Sequence, residues 1–117
     1  MAERLELFTE GSVTVVRFKD HKILDEANIQ QLGEELSQVV ASGDHAKLLL
    51  NFENVEFLSS AALGKLISVK KKAAAADTAL KLCGIRHEIF EVFKITSLDK
   101  VFDIKDTQAE ALSEFGE

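Results

Sequence analysis

A run of three leucines, Leu48 to Leu50, constrains the fold of this chain more than any other feature. It lies inside the segment Ala46 to Phe52 and shows no alternation of polar and apolar residues. A strand with one solvent-exposed face alternates polar and apolar residues, whereas a strand that is covered on both faces of a sheet is apolar throughout. The run therefore predicts a central strand that is buried on both faces.

The segment before this strand predicts a hairpin and an amphipathic helix. Leu5 to Thr9 and Ser12 to Phe18 are rich in β-branched and aromatic residues, and Gly11 between them suits a tight turn. Asp25 is a suitable N-cap for the helix, and Gly43 a suitable stop. Apolar residues at helical spacing predict its buried face, which carries Ile29, Leu32, Leu36, Val39 and Val40.

The segment after the leucine run continues the alternation of helices and strands. The predicted elements are a helix from Ser60 to about Ala76, a strand from Leu80 to Cys83, a helical stripe of Ile85, Ile89, Phe90 and Phe93, and a strand from Val101 to Ile104. A short C-terminal helix is predicted to begin near Asp106 or Thr107 and to bury Ala109 and Leu112.

This order predicts an α/β fold, because strands that alternate with helices are joined by right-handed crossovers and run parallel. The opening hairpin makes the sheet mixed, so we expect about four to five strands with amphipathic helices packed against them. The chain has 117 residues with no proline, and no segment has the composition of a linker. We therefore expect residues 1–117 to form one domain.

Charge and composition exclude several partners. Twenty acidic against 14 basic side chains give a formal net charge of −6, which repels nucleic-acid phosphates and anionic membranes. A basic cluster of Lys65, Lys70, Lys71 and Lys72 has no interleaved aromatic residues, so we interpret it as a solvated helix face. The first ten residues lack the apolar core of a signal peptide, and no run approaches the roughly 20 apolar residues of a membrane span. We expect a cytoplasmic protein without membrane insertion.

The chain also lacks the side chains of common metal and cofactor sites. Cys83 is the single cysteine, which leaves no internal disulfide and no multi-thiolate site, and its apolar strand predicts an inert core thiol. His21, His45 and His87 have no metal-ligand spacing. We therefore expect no metal and no cofactor.

The most informative stretch is Phe57-Leu58-Ser59-Ser60-Ala61-Ala62-Leu63-Gly64, which follows the central strand and opens a helix. It resembles the signature of the STAS domain, in which a strand ending in Asn or Asp precedes an apolar pair and then Asp-Ser-Ser/Thr/Ala-Gly-Leu-Gly. Two positions depart from that pattern, since Ser59 replaces the usual acid and Ala62 the usual glycine. The resemblance covers nearly the whole chain, including the hairpin, the Leu24-Asp25 pair and the segment from Phe90 to Phe102.

The resemblance implies a STAS fold and the function of a bacterial anti-sigma-factor antagonist. In that class the serine after the conserved acid is phosphorylated by a partner that is both a kinase and an anti-sigma factor. Carried over, the phosphoacceptor is Ser60, with Ser59 as the second candidate, and the partner is a serine-kinase anti-sigma factor. The residues expected to contact this partner are Asp25, Ser59, Ser60, Ala61, Ala62 and Gly64.

Position alone gives Ser60 a second interpretation. A helix N-terminus can accommodate a phosphate, because it presents free N–H groups and the positive end of the helix dipole. Serine is also a preferred N-cap, worth about 1 kcal/mol. Asp25 also has two interpretations: it resembles the family's acid near the phosphorylation site, which contributes to partner contact, and it is a suitable helix cap.

Two other functions remain as alternatives. The missing acid at position 59 favours a constitutive STAS scaffold, or a subunit of a larger signalling or lipid-transport complex, that has no phosphoswitch. An enzyme would need a constellation of titratable groups, and the sequence has no nucleophile elbow, no P-loop and no dinucleotide-binding glycine motif. We therefore expect no enzymatic activity.

Overall fold

The computed structural model describes residues 4–43 and 46–116 of the chain. Within these ranges the strands are β1 (Leu5–Glu10), β2 (Val13–Phe18), β3 (Lys22–Ile23), β4 (Lys47–Asn51), β5 (Phe57–Leu58), β6 (Ala79–Cys83) and β7 (Ile104–Lys105). The α-helices are α1 (Glu26–Ala41), α2 (Ser60–Ala75), α3 (His87–Ile95) and α4 (Gln108–Glu114), and a single 3₁₀ turn spans Leu98–Lys100.

The main sheet has five strands in the order β1-β2-β4-β6-β7. β1 and β2 form an antiparallel hairpin, whereas β2 with β4, β4 with β6 and β6 with β7 are parallel pairs. β4 is the middle strand, and Leu48, Leu49 and Leu50 are fully buried. The predicted hairpin, central strand and mixed α/β sheet are confirmed.

Each face of the sheet is covered by different helices. Leu48 and Leu50 belong to the larger core, which includes the apolar stripes of α1 and α2 together with Phe93 of α3. Leu49 faces the opposite side, where Cys83 and Phe115 share a smaller core with α4. Successive side chains of a strand point to opposite faces, so an unbroken apolar run requires both layers.

The helix caps follow the sequence. The Asp25 carboxylate accepts a hydrogen bond from the Ala27 N–H (2.8 Å) and begins α1, and Gly43 has the positive φ of 74° that suits a residue just beyond a helix end. The Thr107 hydroxyl accepts from the Glu110 N–H (3.1 Å) and begins α4. Of the two caps predicted for α4, Thr107 is the one used.

The C-terminal third differs from its prediction in two places. The strand predicted from Val101 to Ile104 is displaced, because Phe102 follows the 3₁₀ turn and packs its ring against Phe93, with 5.9 Å between centroids. Pairing with β6 therefore begins only at Ile104. Ala109 is exposed, since α4 turns Ala111 and Phe115 toward the sheet and keeps Leu112 partly buried.

A group of charged side chains joins β6, β7 and α4. Asp103 contacts the ammonium groups of Lys81 and Lys105, and Lys105 also reaches Glu114, with 3.6 Å between Nζ and Oε1. The hydrogen bond from Lys81 and the positive charge of Lys105 lower the pKa of the Asp103 carboxyl below its ordinary value. The charged form of Asp103 is therefore favoured in the folded state.

This pKa shift predicts a pH-dependent contribution to stability. Because the folded pKa of Asp103 lies below the unfolded one, the contribution is present above the unfolded pKa of about 3.9 and is lost as pH falls through the folded value. Asp103→Asn should lower the free energy of unfolding at pH 7 by at most about 1 kcal/mol, because the carboxylate is 42% exposed. In urea unfolding, the difference from wild type should be similar at pH 7 and pH 5 and smaller at pH 3.

Glu10→Gln is the matched control, because the Glu10 side chain is exposed and makes no hydrogen bond or ion pair with a described residue. It should change the free energy of unfolding little. A deficit in Asp103→Asn that stays constant from pH 7 to pH 3 would contradict the ion-pair explanation.

Candidate functional site

Two short strands that the sequence did not predict hold the candidate site together. β3 and β5 pair in parallel, with Lys22 opposite Phe57 and Ile23 opposite Leu58. The Ser59 N–H continues the ladder by donating to the Ile23 carbonyl (3.1 Å). Because α1 follows β3 and α2 follows β5, this pairing places the starts of the two helices side by side.

Ser59, not Ser60, is the N-cap of α2. Ser59 has an extended backbone, with φ −81° and ψ 165°, and its hydroxyl oxygen accepts a hydrogen bond from the Ala62 N–H (3.2 Å). Ser60 is the first helical residue. The interpretation of Ser60 as a cap is therefore wrong, because the residue before it already occupies that position.

The Ser60 hydroxyl is exposed and accessible. It makes no hydrogen bond to any residue in 4–43 or 46–116. The backbone N–H groups of Ser60 and Ala61 likewise have no acceptor in those ranges, whereas those of Ala62 and Leu63 are bound by Ser59. The start of α2 thus presents one free hydroxyl and two free N–H donors to solvent.

The electrostatics of this helix start also differ from those of its neighbours. α1, α3 and α4 each carry a glutamate in the first turn, at positions 26, 88 and 110. α2 has no acidic residue in its first turn, and its cap is an uncharged serine. The positive end of its dipole is therefore not offset by a carboxylate on the helix itself.

The other predicted contact residues divide into surface and core. Asp25, Ala61 and Gly64 are exposed, and a Cβ built on Gly64 would meet nothing within 4 Å. Ala62 is 1% exposed and packs in the larger core. It is therefore removed from the contact surface, because its side chain fills the interior where the STAS pattern has a glycine.

The loops that carry the site are fixed to the core. Val55 is fully buried, and the Asn54 side-chain amide donates to the Phe18 carbonyl (3.2 Å). The loop between β2 and β3 is fixed by Arg4, whose guanidinium donates to Asp20 of that loop (3.0 Å) and to Asn28 of α1 (2.6 Å). Sequence reasoning missed Arg4, because its partners are 16 and 24 residues away and no local pattern joins them.

The remaining titratable groups of the described residues lie in separate, local contacts. Burial, and to a lesser extent the charge of Glu53, raises the pKa of Cys83 to about 11, so its thiol stays protonated and unreactive. His21 contacts Glu56 (3.1 Å) and His87 contacts Glu91 (3.7 Å), while His45 lies outside the described residues. Across 4–43 and 46–116, His, Cys, Asp and Glu side chains nowhere gather in a group of three that could hold a metal ion. The same ranges contain no helix long and apolar enough to cross a membrane.

Comparison with known proteins identifies the family. The family model described as STAS domain matches residues 4–111, so this chain belongs to the STAS domain family. BtrV of Bordetella bronchiseptica, a candidate anti-sigma factor antagonist, is 27% identical over 93 residues, which are 80% of this chain and 79% of BtrV.

Solved structures agree with this assignment. The anti-sigma-factor antagonist (STAS) domain protein of Planctomyces limnophilus has a TM-score of 0.77 and 26% identity, over 94% of this chain and 95% of its own. SpoIIAA, a Bacillus cell fate determinant solved in its phosphorylated form, has a TM-score of 0.70 over 95% of this chain and 98% of its own. SpoIIAA is 19% identical, so its likeness shows the fold alone.

The two serines are predicted to differ in their effect on stability. Ser59→Ala should lower the free energy of unfolding by about 1 kcal/mol, because the Ala62 N–H loses its cap. Ser60→Ala should change it by less than about 0.5 kcal/mol, as expected for a surface side chain without partners. Urea denaturation followed by circular dichroism measures both values. Equal destabilisation by the two substitutions would contradict the assignment of Ser59 as the cap.

Proposed function

We propose that this chain is an anti-sigma-factor antagonist whose binding is switched by phosphorylation of Ser60. In the unmodified form it binds a serine-kinase anti-sigma factor, which releases a sigma factor. The contact surface comprises Asp25, Ser59, Ser60, Ala61 and Gly64. The proposal places the protein in the cytoplasm, where sigma factors act.

The observation that carries this proposal is the state of Ser60. Ser60 is exposed, its hydroxyl makes no hydrogen bond with a described residue, and the cap of α2 is supplied by Ser59. A kinase can therefore take Ser60 as substrate without breaking an interaction that holds the helix. Membership of the STAS family and the resemblance of the Phe57 to Gly64 stretch to the antagonist signature support the same assignment.

The chemistry of the switch follows from this geometry. The partner transfers the γ-phosphoryl group of ATP to Ser60 Oγ, so the bond to the β-phosphate breaks, ADP leaves, and a base of the kinase takes the hydroxyl proton. The product carries roughly −1.5 to −2 charges where none stood before. The free N–H groups of Ser60 and Ala61 and the positive end of α2 stabilise that charge in the free protein. In the complex the same charge is repelled and desolvated, so binding is lost.

A constitutive scaffold is the second candidate, and Ser59 is the feature that favours it. Aspartate at this position would cap the same N–H while adding a negative charge beside the phosphoacceptor. Serine keeps the cap and removes the charge that could orient a kinase or its metal ion. A scaffold would co-purify stably with other proteins, and substitution of Ser60 would change nothing.

Phosphosite mapping separates the two candidates. The protein isolated from its native cells, with and without phosphatase treatment, should show one phosphate in intact-mass spectra and place it on Ser60 in tandem spectra. A phosphate on Ser59 would show that Ser59, and not Ser60, is the phosphoacceptor. Protein that stays unmodified across growth and stress conditions would favour the scaffold.

Substitution of Ser60 tests the direction of the switch. Ser60→Asp should weaken binding to the cognate kinase by at least about tenfold, or 1.4 kcal/mol, because it places a charge at the interface. Ser60→Ala should bind like the unmodified protein but accept no phosphate. Isothermal titration calorimetry measures the affinities. Ser68→Asp is the control, because Ser68 is an exposed serine two turns further along α2. If Ser68→Asp weakened binding as much as Ser60→Asp, the result would argue against a specific switch at Ser60.

A further inference from the structure

An apolar groove lies between the start of α2 and helix α3. It has a volume of about 280 Å³, and its apolar lining consists of Phe57, Leu58, Leu63, Ile89 and Val92. Phe57 and Val92 are 51% and 40% exposed. A groove of this size, lined by partly exposed apolar side chains, can receive an apolar side chain of another protein.

The groove is continuous with the surface that carries Ser60. Phe57 and Leu58 form β5, which leads directly into the Ser59 cap. Leu63 is three residues after Ser60 on α2, and residues at this spacing are neighbours on one helix surface. A protein that covers the Ser60 hydroxyl therefore stands at the mouth of the groove.

The charges at the rim indicate which groups the occupant carries. Three ionisable residues line the groove: Glu56, Arg86 and Glu88. Glu56 is held by His21 (3.1 Å), and Glu88 lies in the first turn of α3, where the helix dipole favours a negative charge. The side chain of the exposed Arg86 makes no hydrogen bond or ion pair with a described residue, so its guanidinium is the rim group that a partner's carboxylate would complement.

We propose that this groove takes an apolar side chain, flanked by an acidic residue, of the same kinase partner that phosphorylates Ser60. The inference rests on the proposed function and deepens it by dividing the interface into two parts. The groove supplies an apolar anchor of the kind that dominates binding energies in interfaces. The start of α2 supplies the switch, since the charge that changes on phosphorylation lies beside the anchor.

Two lysine substitutions on one helix test the proposal. The probe is the serine-kinase anti-sigma factor, among those encoded in the same genome, that binds wild-type protein in calorimetry and phosphorylates Ser60. Val92→Lys should weaken its binding by at least tenfold, because the ammonium group cannot enter an apolar groove without losing its hydration. Ile95→Lys is the matched control, because Ile95 is 81% exposed on the same helix and does not line the groove. Its dissociation constant should stay within twofold of wild type.

A second pair of variants guards against misfolding and tests the rim. Phe57→Ala should weaken binding by at least tenfold, and the urea midpoint of each variant shows whether the fold is intact. Arg86→Ala should weaken binding severalfold, with the loss shrinking at high salt. If Val92→Lys and Phe57→Ala both fold and bind the kinase like wild type, the proposal that the groove contacts the kinase is wrong, while the proposed function stands. If none of these kinases binds wild-type protein, both fall.

Discussion

The structure depends on the burial of β4 on both faces. Fully burying a leucine stabilises the fold by about 1.5–3 kcal/mol, so neither side of Leu48 to Leu50 can remain open to water. β2, β4 and β6 are adjacent and parallel, and right-handed crossovers between them bring α1 and α2 to the same face. The opposite face is left to α4. Asn51, at the end of β4, ties α4 to the sheet, because its side-chain amide donates a hydrogen bond to Gln108 of α4 (2.8 Å).

The site is a consequence of this arrangement. Chain segments that leave the carboxyl ends of adjacent parallel strands emerge at one edge of the sheet, where α/β proteins usually bind their ligands. Here β2 leads to β3 and α1, and β4 leads to β5 and α2, so the two helix starts meet. The two adjacent serines then have different roles. Ser59 caps the N-terminus of α2, so the exposed Ser60 hydroxyl is available to a kinase.

Most of the fold could be predicted from local patterns, because strand and helix periodicity report burial directly. The caps at Asp25 and Thr107 were predictable because capping depends on residues within one turn. The missed features are non-local. The β3 and β5 strands have two residues each, too few to show a period, and they exist only as a pair. β7 begins later than predicted because the Phe102 ring packs against that of Phe93, a contact that no local pattern reveals.

The sequence by itself determined the layered α/β architecture and the motif that places serines at the start of α2, because both depend on residue type and spacing. Only the tertiary structure decided which serine caps the helix, that Ala62 fills the core, and that the Asp25 loop lies beside α2. These depend on backbone angles, packing space and a strand pair formed across some 35 residues of sequence. Such contacts exist only once the sheet has brought distant segments together.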